Sequence, residues 1–212
     1  MIVKFFKRHP LVFALTYTVF YLTVFYYLEM LIEPRYIIHC ALDDILPFCE
    51  YFIVPYLLWF IYIPVVCLYL IKKDVDSFWR LALMMFGGMT ICILMYILFP
   101  NGVLLREKVP DNNIFCRLVN ILYLRDTSTN VCPSIHTLNT LAAHTALCRS
   151  YRLEKASGIK LLSGIFAASV CLSTVFLDQH SVIDVACAAA LCLVLGLVAY
   201  RPRENALDMV HN

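Results

Sequence analysis

Charge is scarce in this sequence. Only 15% of its 212 residues are Asp, Glu, Lys or Arg, 62% are hydrophobic, and the mean hydropathy is +0.78. A soluble domain carries roughly 25% charged residues, so a water-exposed globular fold is excluded and a polytopic membrane protein is indicated. Glycine is sparse, with six against nine prolines, and no linker, repeat or low-complexity run interrupts the chain. Zinc-type CxxC spacing is missing as well. Cys67, Cys92, Cys148, Cys171, Cys187 and Cys192 fall in or at the ends of apolar segments, where a thiol behaves as a small hydrophobe. Cys40, Cys49, Cys116 and Cys132 fall between segments without a metal-ligand pattern, which rules out a structural zinc site. A Cys116–Cys132 disulfide stays open if that loop faces an oxidising compartment.

What is present is a series of long apolar runs. A basic leader over 1–10, with Lys4, Lys7 and Arg8, precedes a run from Leu11 to Leu31. That run is too long for a signal peptide, lacks a small-residue cleavage site, and reads as a first transmembrane helix. Further spans are expected at Tyr51–Ile71 (kinked by Pro55 and Pro64), Trp79–Phe99, Pro133–Cys148, Gly158–Leu177 and Val182–Tyr200. Between them lie a mixed segment over 33–50 that suits an interface, a tight polar loop over 72–76, and a long loop over 100–132. The long loop carries an amphipathic pattern near Ile114–Leu124, and the Gly87-Gly88 pair suits close helix packing. The fold class expected is all-α, one domain over 1–212 with six transmembrane helices and a polar tail from Arg201. Of 17 Lys and Arg, twelve fall on the side of the termini and five on the other: Arg35, Arg106, Lys108, Arg117 and Arg125. The positive-inside bias puts both termini in the cytoplasm and the long loop on the extracytoplasmic face of the cell membrane.

Two polar clusters meet that face. In Ser173-Thr174-Val175-Phe176-Leu177-Asp178-Gln179-His180-Ser181-Val182-Ile183-Asp184, the His180–Asp184 spacing puts imidazole and carboxylate on one helix face. The pair suits a metal site, a structural hydrogen bond or a catalytic dyad, and the shortage of further ligands speaks against the metal. In Asn130-Val131-Cys132-Pro133-Ser134-Ile135-His136, Pro133 suits the first position of a helix. The N–H groups and hydroxyl at Ser134 and Ile135 would then attract an anion, with His136 one turn in as a proton donor. An interfacial cap with a snorkelling histidine is the plainer alternative. Arg106, Lys108 and Arg125 add cations to a face otherwise poor in them, and planar arginine can grip phosphate oxygens. His144 and Asn139, inside the fourth span, suit interhelical hydrogen bonds.

Pro133-Ser134-Ile135-His136 followed by Ser173 and His180-Ser181-Val182-Ile183-Asp184 resembles the second and third signatures of the type 2 phosphatidic acid phosphatase superfamily. That superfamily spans lipid phosphate phosphatases, undecaprenyl diphosphate phosphatases and, more distantly, sphingomyelin and inositol phosphorylceramide synthases. The resemblance covers residues 80 to 200 and implies a membrane lipid phosphatase that needs no metal or other cofactor. By that resemblance His180 attacks phosphorus, Asp184 orients it, and His136 protonates the leaving oxygen. Ser134, the adjacent N–H group of Ile135 and Arg106 then bind the phosphoryl oxygens, Thr174 stands at a substrate-binding position of the third signature, and Lys108, Arg117 or Arg125 is left to make up for absent cations. The expected partners are a lipid phosphate and the bilayer, with no nucleic acid.

Two departures matter. Where the first signature places a Lys, and an Arg-Pro seven residues on, this chain has Phe99 and Arg106-Glu107; where an Arg follows the serine of the third, it has Thr174. The missing cations leave open a head-group phosphotransferase, using the same histidines, and an inactive transporter or binding protein.

Overall fold

The computed structural model describes residues 2–201, so the tail beyond Arg201, with Arg203, lies outside the described residues. Eight helices account for most of them: α1 (Ile2–Arg8), α2 (Pro10–Leu31), α3 (Ile53–Lys73), α4 (Val75–Leu98), α5 (Ile114–Arg125), α6 (Ile135–Arg149), α7 (Ser157–Phe176) and α8 (Val182–Ala199). Five are long and apolar enough to cross a membrane, namely α2, α4, α7, α8 and α3 together with the 3₁₀ turn Glu50–Phe52 that precedes it. The expected fourth span differs. Helix α6 has 15 residues, about 22 Å at 1.5 Å per residue, which is short of a hydrocarbon core of about 30 Å.

The position of α6 explains its polarity. It packs against α3, α4, α7 and α8, so Thr137, Asn139 and Thr140 are buried among helices rather than facing lipid. Helix α4 is the other central element, with Phe78, Leu81, Met84, Cys92 and Tyr96 fully buried. Leucines and valines on the outer faces stay exposed, as at Leu193, Leu197 and Val198 of α8 and Leu15 and Leu22 of α2. Exposed apolar surface on this scale fits a lipid environment, where van der Waals packing rather than hydrophobic burial joins helices. Of the Gly87-Gly88 pair only Gly88 is a close-approach point. A Cβ there would lie 2.6 Å from Leu138 Cδ2 and 3.1 Å from Leu195 Cδ1, whereas one on Gly87 meets only its own helix.

The connections gather at two opposite ends. At one end the 72–76 loop shrinks to Asp74 alone, because α3 runs through Lys73 and Asp74 caps α4 by accepting the Ser77 N–H at 3.1 Å. Ser150 donates to Asp74 at 2.6 Å and Arg152 to the Lys73 carbonyl at 3.1 Å. At the other end the loops 32–52, 99–134 and 177–181 interlock. Cys49 N–H donates to Phe176 O at 2.9 Å and Ser134 N–H to Asp184 O at 3.1 Å. The expectation of an all-helical chain needs one correction here: β1 (Tyr36–Ile37) and β2 (Asn101–Gly102) form a short parallel pair. Both strands follow helices that finish at this end, α2 and α4, and leave in the same direction. Pro55 falls in the first turn of α3, where a missing N–H costs nothing, and only Pro64 is interior.

Candidate active site

The residues 126–136 form the floor of this end, and one side chain organises them. Asn101, buried, accepts from the N–H groups of Val131 (3.0 Å) and Cys132 (2.8 Å) and donates to the carbonyls of Phe99 (2.8 Å) and Cys132 (3.1 Å). Its carbonyl takes the Asn130 N–H at 2.7 Å, and Tyr96 OH donates to Pro133 O at 2.7 Å. Pro133 stands one residue before the N-cap of α6, not at the helix's first position. Ser134 is the N-cap, its hydroxyl accepting from Thr137 N–H and its own N–H spent on Asp184 O. Of the donors expected for an anion, the N–H groups of Ile135 and His136 remain, since a helix start supplies them no partner.

The second cluster is built by α8. Ser181 caps it, and Asp184 Oδ2 returns to the Ser181 N–H at 2.9 Å in a capping box. Asp43, from the 33–50 segment, closes the same turn: it accepts from Ser181 OH at 2.7 Å and from Val182 N–H at 2.9 Å. Burial would raise its carboxyl, but the hydrogen bonds from Ser181, Val182 and Cys40 hold it below the ordinary carboxylate value. Thr174, buried, turns its hydroxyl to Cys171 O, and its carbonyl takes the N–H groups of Gln179 and His180, both at 3.0 Å. It shapes the His180 loop through its backbone.

The two clusters meet. The His136 and His180 rings have centroids 5.9 Å apart. His180 Nδ1 faces Asp184 Oδ2 at 3.4 Å, long for a hydrogen bond, with Asp184 fully buried. A buried carboxylate behind Nδ1 leaves Nε2 as the free nitrogen. The His136 ring lies against Tyr56 (4.6 Å), Trp59 (4.5 Å) and Phe60 (6.3 Å) of α3. Between the histidines is a cleft of about 40 Å³, room for roughly three water-sized groups. Asp126, Thr127, Asn130, Ile135 and Gln179 line it with them.

The expected cations do not line this cleft. Arg106 donates instead to the carbonyls of Asp126 and Thr127 (3.1 Å) and to Gln179 Oε1 (2.6 Å), with its guanidinium 4.7 Å over the Tyr123 ring. It ties together two stretches that line the cleft. Lys108 is exposed beside a larger cavity of about 510 Å³ that also holds Asp43, Asp44, Glu107 and Asp178. Arg125 is exposed on the last turn of α5. Asp178 has a left-handed backbone, φ 51, and burial, then the charge of Glu107, push its carboxyl up to about 6 against the pull of Arg106.

Sequence reasoning missed Asn101, Asp43 and the α3 aromatics, which reach the site from distant segments, and Gln179, which stands beside His180 but takes its role from a partner, Arg106, on another loop. All ten cysteines are free thiols, Cys116 and Cys132 included. Among the described residues no three metal-ligating side chains come together. His144 does bridge helices, with Nδ1 3.0 Å from Ser163 Oγ of α7.

No curated protein and no solved structure matches the chain. The model of the PAP2 superfamily matches residues 104–207, which hold both histidine clusters and the arginine that joins their loops. By that match and that shared cleft, the chain belongs to the PAP2 superfamily.

Proposed function

We propose that this membrane protein hydrolyses a lipid phosphate or lipid diphosphate through a phosphohistidine at His180. The observation that carries the reading is the approach of the His136 ring, on the first turn of α6, and the His180 ring, on the loop before α8, to 5.9 Å across one cleft. Nε2 of His180 attacks phosphorus as the bond to the leaving oxygen breaks, and His136 gives that oxygen its proton. Asp184, behind Nδ1, stabilises the imidazolium form of the nucleophile. Water then attacks phosphorus, His136 takes its proton, the P–N bond breaks with its electron pair returning to Nε2, and phosphate leaves. The first-turn N–H groups of Ile135 and His136 meet charge that spreads over the phosphoryl oxygens. Ser134 holds that helix start in place, Arg106 holds the loops, and Thr174 holds the His180 backbone. Lys108 and Arg125, exposed on the same end of the molecule, draw an anionic head group toward it.

On this reading α6 is the sixth crossing, both termini are cytoplasmic, and the cleft opens on the extracytoplasmic side. The bias of Lys and Arg toward the end that holds Lys72, Lys73, Arg149 and Arg152 supports that orientation. Purified protein in detergent, offered a panel of lipid phosphates with chelator present, is expected to release phosphate. His180→Ala and His136→Ala are each expected to lose that activity by 100-fold or more, roughly the scale of general acid–base and nucleophilic contributions. Undiminished release by either variant refutes the mechanism.

A second reading is favoured by the cation-free lining of the cleft and the Asp126 carboxylate in it. Such walls suit a singly charged phosphodiester, and a lipid hydroxyl in place of water would make the protein a head-group phosphotransferase. Labelled donor lipid with and without an acceptor lipid separates them: transfer yields a new lipid, hydrolysis a water-soluble phosphate.

A further inference from the structure

Asn130 stands out among the residues that line the cleft. Its side chain is 4% exposed, yet neither Oδ1 nor Nδ2 has a hydrogen-bond partner. A buried polar group left without a partner has given up its water and gained nothing in return, and an amide has two such ends. The contrast with Asn101 is sharp, since that equally buried amide uses both of its ends on the backbone of the same loop. Asn130 also has φ 57, a left-handed conformation that asparagine tolerates better than other side chains. The Asn130 backbone is fixed there by its N–H to Asn101 O and by the Gly102–Thr129 bridge beside it. The fold thus holds an unpaired amide rigidly in a cleft shared with two histidines and free of lysine and arginine.

We propose that Asn130 is a substrate-binding residue whose Nδ2 donates to a phosphoryl oxygen, the neutral counterpart of a cation at this site. The inference rests on the phosphoryl-transfer reading above. An N–H donor to a phosphoryl oxygen supplies a charge-assisted hydrogen bond without adding a positive charge beside Asp126. Oδ1 is left to accept from a protonated phosphate oxygen, or from the hydroxyl that enters or leaves. Arg106 does not replace Asn130, because it does not line the cleft and its Nη atoms donate to Asp126, Thr127 and Gln179.

The test is binding of orthovanadate, a phosphate mimic, to the full chain in detergent, together with lipid-phosphate turnover. Asn130→Gly keeps the left-handed backbone at no steric cost and removes only the amide. Asn130→Asp keeps the shape and puts a carboxylate where the donor was. Vanadate affinity is expected to fall about 10-fold or more in N130G, the range of one hydrogen bond to a charged group, and further in N130D. KM for the lipid phosphate rises in parallel, and the unfolding temperature of N130G does not fall below that of the wild type. That order of affinities is one a purely structural asparagine does not produce. If the wild type turns over lipid phosphate while N130G binds vanadate within twofold of it, or N130D binds as well as the wild type, the Asn130 proposal fails alone. If the wild type neither binds vanadate nor releases phosphate, the functional reading fails and takes this one with it.

Discussion

Replacing Asp43 by Ala tests whether a residue far from both histidine clusters holds the active end together. Its carboxylate takes the Ser181 hydroxyl at 2.7 Å and the Val182 N–H at 2.9 Å, directly after His180. Buried hydrogen bonds to a charged group contribute about 1.5–3 kcal/mol each. Asp43 is only part-buried, and solvent screening reduces the pair to about 1–2 kcal/mol. Its negative charge at the N-terminus of α8 adds about 0.5 kcal/mol. D43A is therefore expected to lose about 2 kcal/mol, a fall of about 4–8 °C in unfolding temperature for a chain of this size. The sign of the pH dependence is set by the lowered carboxyl of Asp43. A depressed carboxyl contributes stability that is present above the unfolded value and lost as pH falls through the folded one. The difference between wild type and D43A should be full at pH 7 and shrink only below the ordinary carboxylate range. Thermal unfolding in detergent, followed by circular dichroism at several pH values, measures both. An unfolding temperature within about 1 °C of wild type at pH 7 would refute the reasoning, and so would a gap that survives in acid.

Asn101→Ala strips four hydrogen bonds from the 99–132 loops and leaves two buried N–H groups unpaired, a loss of about 3 kcal/mol or more, read by chemical denaturation. In Gly102→Ala the new Cβ would lie 2.6 Å from the Ser128 carbonyl, backbone that cannot swing aside. Turnover is expected to drop with a stability loss of about 1–3 kcal/mol, whereas Gly87→Ala, in open surroundings, should match the wild type. Asp178→Asn probes the raised carboxyl: a group bound to its proton more tightly when folded stabilises at low pH and loses that contribution as pH rises through about 6. D178N should unfold later than wild type at pH 7 and at the same temperature near pH 4, and asparagine keeps the left-handed backbone.

The long apolar runs located α2, α3, α4, α7 and α8 to within a few residues, because hydropathy reports length and lipid exposure directly. Helix α6 was legible as shorter and more polar, but not as the centre of the bundle, since burial among four helices leaves little trace in composition. The histidine clusters were legible because their spacing is local information, although His180 stands on the loop before α8 rather than on a helix face, with Asp184 reaching back to it from the first turn. Where Arg106 points was not: its partners lie beyond α5, at Asp126 and Thr127, and on the 177–181 loop, at Gln179, and a lone loop cation says nothing of which carbonyls compete for it. The same holds for Asn101 and Asp43, whose roles exist only after β1 and β2 have paired. Asn130 sat inside a quoted motif, but its meaning lies in what it fails to bond, and no sequence pattern records that.

The shortness of α6 has a consequence for depth. Under the proposed function, a 15-residue helix that begins beside His136 would set the cleft below the plane reached by the longer helices around it. Phosphate chemistry at that level would take place among the head groups, not in the water beyond them. A lipid gripped there would keep its tail in oil throughout, spared an ascent that would cost about 0.8 kcal/mol for each methylene lifted out.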